Sequence, residues 1–179
     1  MSKLGKKLII LPKDSTIKVD GNNLLVSGPK GSKSIQFNEK LFSTKINDKN
    51  EFQITPNKKT KNISILWGTY RSLVNNAVYG VSKGHEKNLE LNGVGFRANL
   101  KGQDLVLSLG FSHEVKYNVP KGISVKVEKQ TKINISGADK ELVSKIASEI
   151  KALKPVEPYK AKGIREKGQY VLRKEGKKK

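Results

Sequence analysis

The sequence predicts an α+β fold of two tandem similar domains, each a small antiparallel sheet packed against one helix. Three observations predict it: the chain nearly repeats itself, strand-like segments precede a helix in each half, and each helix carries an apolar stripe. One helix laid on antiparallel strands buries one face of a small sheet. We expect domains at residues 1–82 and 83–153, followed by a basic C-terminal extension at 154–179.

A turn containing glycine separates two strand-like segments in each half. Residues 19–27 surround Gly21, and residues 100–108 surround Gly102 in a similar pattern. Polar glycine turns between alternating apolar segments predict β-hairpins. Further alternating segments follow at residues 34–37, 52–55, 123–127 and 133–135. The polar stretch 47–62 is expected to be a loop-rich insertion in the first half.

Each half ends in a predicted helix. The apolar residues recur at helical spacing, as expected for a helix packed on a sheet. The two stripes are Tyr70, Leu73, Val74, Ala77, Val78 and Val81, and then Leu142, Val143, Ile146, Ala147 and Ile150. Gly68 and Gly137 precede these helices at matching points. Asp139 suits the N-cap or the first turn of the second helix.

The charge predicts a polyanionic partner. The chain holds 36 Lys and Arg against 16 Asp and Glu, a net charge of +20. Nucleic acid is the first candidate for such a partner and anionic lipid the second. Residues 153–179 alone hold 10 basic and 3 acidic residues. This proline- and glycine-containing stretch cannot build its own core, so we expect an arm that orders on RNA. The alternative is a solvated tail, although Tyr159, Ile164 and residues 170–172 suggest packing or stacking.

Several classes of function are excluded or disfavoured. The chain has no cysteine, which excludes disulfides and thiolate chemistry. No apolar run approaches the roughly 18 residues of a membrane span. The two histidines, His85 and His113, lack a nearby set of catalytic partners. We therefore expect a cytoplasmic protein that is not an enzyme, with no cofactor, metal, membrane or small-molecule substrate.

Two glycine-rich segments resemble nucleotide-binding motifs without meeting their spacing. Residues 28–34 fail the Walker pattern, so a hairpin turn is expected there. Residues 93–97 lack the third glycine of a dinucleotide fingerprint, which favours a strand bulge with Phe96 in the core. Secondary candidates for RNA contact are Arg97 beside this segment, Ser112 and His113 in an expected exposed turn, and Lys3, Lys6 and Lys7 at the N-terminus.

The stretch Glu157-Pro-Tyr-Lys-Ala-Lys-Gly-Ile-Arg165 resembles the C-terminal signature of the bacterial large ribosomal subunit protein six family. The resemblance departs from the usual pattern at Val156, Ala161 and Glu166. Other segments agree with the family in order and spacing over nearly the whole chain. They are residues 4–7 with Pro12, 26–31, 67–76, 89–97, 107–113 and 137–140.

The resemblance implies binding to 23S-type rRNA, mainly through the second domain and the C-terminal extension. It implies a structural role near the base of the factor-binding stalk, next to neighbouring ribosomal proteins. The alternative is a generic basic binder of RNA or anionic surfaces outside the ribosome. The main candidate contacts are Lys154, Tyr159, Lys160, Lys162, Gly163, Arg165, Arg173, Lys174, Lys177 and Lys178.

The signature also suggests how its residues contact RNA. In an extended segment, Lys160 and Lys162 would share one face and could straddle neighbouring phosphates. Gly163 would let a backbone approach closely. Tyr159 could stack on a base or anchor the arm to the domain, and the pattern leaves these two roles open.

Overall fold

A computed structural model describes residues 2–47, 50–58 and 60–176. It divides into two compact units. The first contains the chain up to His85 together with Ala138–Lys140, and the second contains Glu86–Gly137 and the chain from Glu141 onward. Each unit encloses its own hydrophobic cluster. The α+β class is confirmed, but the strands of each unit divide into two small sheets rather than one.

The first unit contains six strands followed by a long helix. One sheet has the order β2-β3-β4 and the other β1-β6-β5, with antiparallel pairing throughout. The elements are β1 (Ile9–Ile10), β2 (Thr16–Asp20), β3 (Asn23–Gly28), β4 (Gly31–Gln36), β5 (Phe42–Asn47), β6 (Glu51–Pro56) and α1 (Lys61–Ser82).

The second unit repeats this plan with an additional strand after its helix. Its sheets have the orders β10-β9-β8 and β11-β12-β7-β13. The elements are β7 (His85–Asn92), β8 (Arg97–Lys101), β9 (Asp104–Ser108), β10 (Val115–Asn118), β11 (Ile123–Glu128), β12 (Lys132–Gly137), α2 (Lys140–Leu153) and β13 (Gly163–Glu166).

The predicted turns form as expected. Gly21 and Gly102 lie between paired strands with φ of +51° and +65°, a conformation that glycine adopts without steric cost. Gly28 pairs with Gly31 across a two-residue turn, which confirms the hairpin predicted for that segment. The loop expected at residues 47–62 was wrong in part, because β6 and the start of α1 occupy much of it.

Helix α1 begins earlier than its apolar stripe predicted. It starts at Lys61, so Gly68 lies inside the helix and not before it. The Thr60 hydroxyl caps the helix by accepting a hydrogen bond from the Ile63 amide at 3.4 Å. Ile63 and Trp67 extend the buried stripe toward the N-terminus, and the Trp67 indole donates to the Ile54 carbonyl at 2.7 Å. This buried contact anchors the first turns of α1 to β6.

Helix α2 lies where the sequence places it. Gly137 ends β12, Asp139 immediately precedes the helix, and Glu141 is an acid in its first turn. The helix buries four residues of the predicted stripe, namely Val143, Ile146, Ala147 and Ile150. Leu142, the fifth, is exposed at the edge of that stripe.

Strand β13 makes part of the basic extension a structural element of the second unit. It pairs antiparallel with β7, and Arg165 lies opposite Glu90. Ile164 is fully buried in the second hydrophobic cluster. The segment Gly163–Glu166 is therefore already ordered in a sheet, whereas the sequence suggested an arm that orders on RNA.

Candidate nucleic-acid interface

The family signature forms a loop that returns to its own starting point. The Ile164 amide donates to the Lys154 carbonyl at 2.9 Å, and the Glu157 amide donates to the Lys162 carbonyl at 2.8 Å. A third bond, from the Ala161 amide to the Glu157 carbonyl at 3.0 Å, closes the turn at the tip. Residues 155–162 thus form a closed loop between α2 and β13. Such a loop loses little conformational entropy when it binds a ligand.

The closed loop corrects the expected geometry of its lysines. Ala161 has a φ of +54°, and Pro158 to Lys160 lie in a turn, so the segment is not extended. Strict alternation therefore does not place Lys160 and Lys162 on one face. Both lysines are nevertheless exposed, and Tyr159, directly before Lys160, is 54% exposed. The tip of the loop presents two ammonium groups and one aromatic ring to solvent.

Gly163 is needed for a close approach within the protein itself. Its φ is +140°, and a Cβ at this position would lie 2.7 Å from the Pro155 carbonyl oxygen and from the Val156 Cα. The backbone that approaches Gly163 here is the protein's own, the first part of the closed loop, and a contact between Gly163 and RNA stays a prediction. Gly163 therefore holds the loop against β13.

An aromatic residue that the sequence analysis missed lies beside the loop. Phe111, in the turn between β9 and β10, is 44% exposed, and the Lys154 Nζ lies 4.4 Å from its ring centroid. The His113 ring stacks on Phe111 with a centroid distance of 6.3 Å and an interplanar angle of 20°. Ser112 and His113 are exposed, as expected for this turn. The signal available in the sequence was the position of Phe111 directly before two secondary candidates, Ser112 and His113.

We call the surface formed by residues 111–113, Lys154 and the closed loop 155–162 the basic loop face. The tail reaches it, because the Lys174 amide donates to the Pro158 carbonyl at 3.0 Å. Arg173 and Lys174 are both exposed next to this contact. Lys177 and Lys178, also candidate contacts, lie outside the described residues.

Arg97 lies near the base of the turn that carries Phe111. It begins β8 and pairs with Ser108 at the end of β9, with its side chain exposed. The preceding residues form a turn between two sheets, so the expected strand bulge was wrong. Phe96 is buried, as expected, and packs against Gly93 and Gly110.

Arg165 and Glu166 form ion pairs on the sheet beside the loop. The Arg165 guanidinium donates to Glu90 Oε2 at 3.1 and 3.3 Å. Glu166 lies between Lys87 at 2.7 Å and Lys151 at 3.1 Å. Hydrogen bonds from Lys87, then from Lys151, lower the pKa of the Glu166 carboxyl below its ordinary value. Glu166 therefore stays ionised, and its two ion pairs connect β13 to β7 and to α2.

Lys3, Lys6 and Lys7 lie in the first unit. All three are exposed in a turn that precedes β1. The turn is held in place because Gly5 packs directly on the Trp67 ring, where a Cβ would come within 2.5 Å of the indole. The Arg71 side chain also donates to the Lys7 and Leu8 carbonyls at 3.3 Å. The N-terminal lysines are therefore displayed on a fixed segment.

Within residues 2–47, 50–58 and 60–176, no three His, Asp or Glu side chains lie close enough to hold a metal ion. No helix in the described part of the chain is both long and apolar enough to cross a membrane. The duplicated α+β fold and the basic loop face define a two-domain protein with a surface suited to a polyanion.

Comparisons with known proteins identify the family. The family model for ribosomal protein L6 matches residues 11–84 and again residues 92–167. The chain is 47% identical over all 179 residues to large ribosomal subunit protein uL6 of Methylocella silvestris, covering both chains completely. It is 48% identical to uL6 of Staphylococcus carnosus and 46% identical to uL6c of Guillardia theta. Each of these covers 99% of this chain and 98% of the relative. The chain belongs to the ribosomal protein L6 family.

Proposed function

We propose that this protein is a structural constituent of the large ribosomal subunit that binds 23S-type rRNA and stabilises its fold near the base of the factor-binding stalk. Its relatives are large ribosomal subunit proteins by name. The observation that carries the proposal is the Lys154 ammonium over the exposed Phe111 ring, at the base of a closed loop bearing Lys160 and Lys162. Cations beside exposed aromatic rings suit RNA, which offers phosphates and base faces together.

The chemistry of the basic loop face favours contact with the RNA backbone. Lysine is a compact point charge that binds phosphate without reading base edges. A cation over a ring still has N–H donors directed away from it, so Lys154 can contact Phe111 and a phosphate together. The role that follows is stabilisation of RNA structure, without catalysis.

The other candidate RNA contacts lie in three places: the tail, the sheet under the loop and the first unit. Arg173 and Lys174 extend the basic loop face along the tail. Arg165 contributes through Glu90, because its guanidinium is already bound there and helps to fix the sheet under the loop. Lys3, Lys6 and Lys7 form a secondary contact from the first unit. The protein would act in the cytoplasm, where the ribosome works.

The experiment that tests this proposal measures binding to 23S-type rRNA as a function of salt. The double variant Lys160→Gln with Lys162→Gln should flatten the slope of log affinity against log salt by about 0.7 to 0.9 for each phosphate that is no longer neutralised. The control is Lys126→Gln with Lys132→Gln, two exposed lysines on β11 and β12. Equal slopes for the two double variants would refute the loop as a phosphate-binding site.

Sucrose-gradient sedimentation tests the ribosomal role. The protein should migrate with large subunits, and a free pool with no subunit peak would contradict the proposal.

Deleting the whole stretch 154–179 is unsuitable as a binding test, because it removes β13 and the buried Ile164. A chain that ends at Gly168 keeps this strand and removes only the tail.

A further inference from the structure

The outward face of α1 lacks the charge expected of a helix surface in contact with water. Only Lys61 and Arg71 are charged among its 22 residues. Helix α2 carries five charged residues in 14, in a chain in which 29% of residues are charged. Helices that face water on one side normally carry polar and charged residues there. The exposed face of α1 therefore carries little charge and combines polar residues such as Asn62 and Thr69 with exposed aliphatic ones such as Ile65.

This face forms an open groove of about 670 Å³ on the first unit. Lys61, Ile65, Gly68 and Ser72 follow one another at helical spacing along its floor, away from the buried stripe. Ser2 and Leu4 of the N-terminal turn line it as well. We call this surface the α1 groove.

The α1 groove has a mixed apolar and small-residue surface. Ile65 is 65% exposed, and Leu4 at the wall is also exposed. The helix also contributes small residues to the groove, namely Ser64, Gly68, Thr69 and Ser72. Small residues let a second backbone approach closely, and exposed aliphatic side chains gain by removal from water. These properties fit a protein segment better than RNA, whose backbone is charged throughout.

The charge at the groove decides which protein segment fits. Lys61 lines one end of it and is the only charged side chain among the described residues that line it. The described residues that line the groove include no carboxylate. Complementary charge across an interface favours the correct partner and disfavours others.

We propose that the α1 groove is the docking site for an acidic, apolar segment of another protein, with small or aliphatic residues on its contact face and a carboxylate that meets Lys61. This inference goes beyond rRNA binding, because it concerns a protein partner of the first unit. The α1 groove and the basic loop face share no residue, so failure of rRNA binding and failure of this inference can be told apart.

Site-specific photocrosslinking in cells tests the proposal on the full-length chain. The photoreactive residue p-benzoylphenylalanine replaces Ile65 in the groove. A matched control replaces Ile46 of β5, which is 54% exposed and does not line the groove. The Ile65 probe should form an adduct with one protein, and the crosslinked peptide should contain Asp or Glu beside apolar residues. The Ile46 probe should give several-fold less of that adduct.

Charge variants of Lys61 complete the test. Lys61→Glu should reduce the yield of the Ile65 adduct several-fold, whereas Lys61→Arg should preserve it. Lys61 is exposed at the first position of α1, so both variants should keep the wild-type melting temperature. Adducts with rRNA, with a second copy of this chain or with a basic peptide would overturn the proposal. The proposal would also be overturned if the Ile65 probe gave no more adduct than the Ile46 control, or if Lys61→Glu left the yield of the Ile65 adduct unchanged.

Discussion

Individual residues hold the basic loop face in shape, and Gly163 is the clearest case. Its φ lies in the region that favours glycine, and the loop backbone leaves no space for a Cβ. Gly168 shares a positive φ of +80° but has open space around it. Substitutions at these two glycines therefore distinguish the cost of backbone strain from the cost of a steric clash.

We expect Gly163→Ala to destabilise the protein by more than Gly168→Ala. The strained φ alone costs about 1–3 kcal/mol in either variant, and Gly163→Ala adds a backbone clash that must displace Pro155 and Val156. Chemical denaturation of both variants measures the difference. Equal losses of stability would show that the loop can move away from β13 at no cost.

Phe111 is expected to contribute directly to RNA affinity. Stacking of a base on an aromatic ring contributes about 1–3 kcal/mol, so Phe111→Ala should weaken binding to 23S-type rRNA roughly fivefold or more. The fold should persist because the ring is partly exposed. Tyr79→Ala is the matched control, since this exposed tyrosine in the first unit also lies beside a lysine, at 5.9 Å. Filter-binding measurements compare the two variants, and equal affinities would argue against stacking on Phe111.

At the scale of elements, β13 connects the functional loop to the core of the second unit. Its backbone pairs with β7, Ile164 is buried, and Glu166 binds two lysines from β7 and α2. A strand that follows the last helix therefore fixes both ends of the closed loop. This arrangement explains why a strongly basic segment is ordered without its partner.

The ion pairs of Glu166 should make stability depend on pH. Its pKa in the folded state is lowered, so its contribution is present above its ordinary pKa of 4.5 and is lost as the pH falls through the lowered value. Compared with Glu166→Gln, the wild-type protein should be more stable near neutral pH by less than about 1 kcal/mol, since these pairs are partly exposed. The difference should shrink below pH 4.5.

Urea denaturation at several pH values measures this difference. Glu175→Gln, in the exposed tail, serves as the control for loss of one negative charge. A difference between wild type and Glu166→Gln that stayed constant through acid pH would mean that the ion pairs do not stabilise β13.

At the scale of the whole molecule, two hydrophobic clusters support two units. Trp67 is the single tryptophan of the chain and belongs to the first cluster. Its fluorescence therefore reports the first unit, whereas circular dichroism reports the secondary structure of both. The sequence thus contains a natural probe that distinguishes the two units.

We expect Ile164→Ala to destabilise the second unit by about 2–5 kcal/mol, because it removes a fully buried side chain. The unfolding transition seen by circular dichroism should broaden or split, while the Trp67 fluorescence transition should stay in place. Val74→Ala, in the core of the first unit, should instead shift the fluorescence transition. If Ile164→Ala moved both signals equally, the two units would unfold as one.

The sequence alone determined the duplicated α+β class, the hairpins at Gly21 and Gly102, the buried stripes of both helices and the family. These features depend on local periodicity and turn chemistry, which a few neighbouring residues specify. It also identified Lys154 and the signature loop as candidates for RNA contact, because the charge and the motif are contiguous in the chain.

Only the tertiary structure decided how distant residues meet. Phe111 lies over 40 positions from Lys154, and β13 joins β7 across more than 70, so neither contact leaves a periodic signal. The turn at Ala161 and the division into two sheets per unit also depend on packing rather than on local propensity. The basic extension is therefore a core strand with a closed loop and a tail, because burying Ile164 and pairing its backbone favour the folded segment.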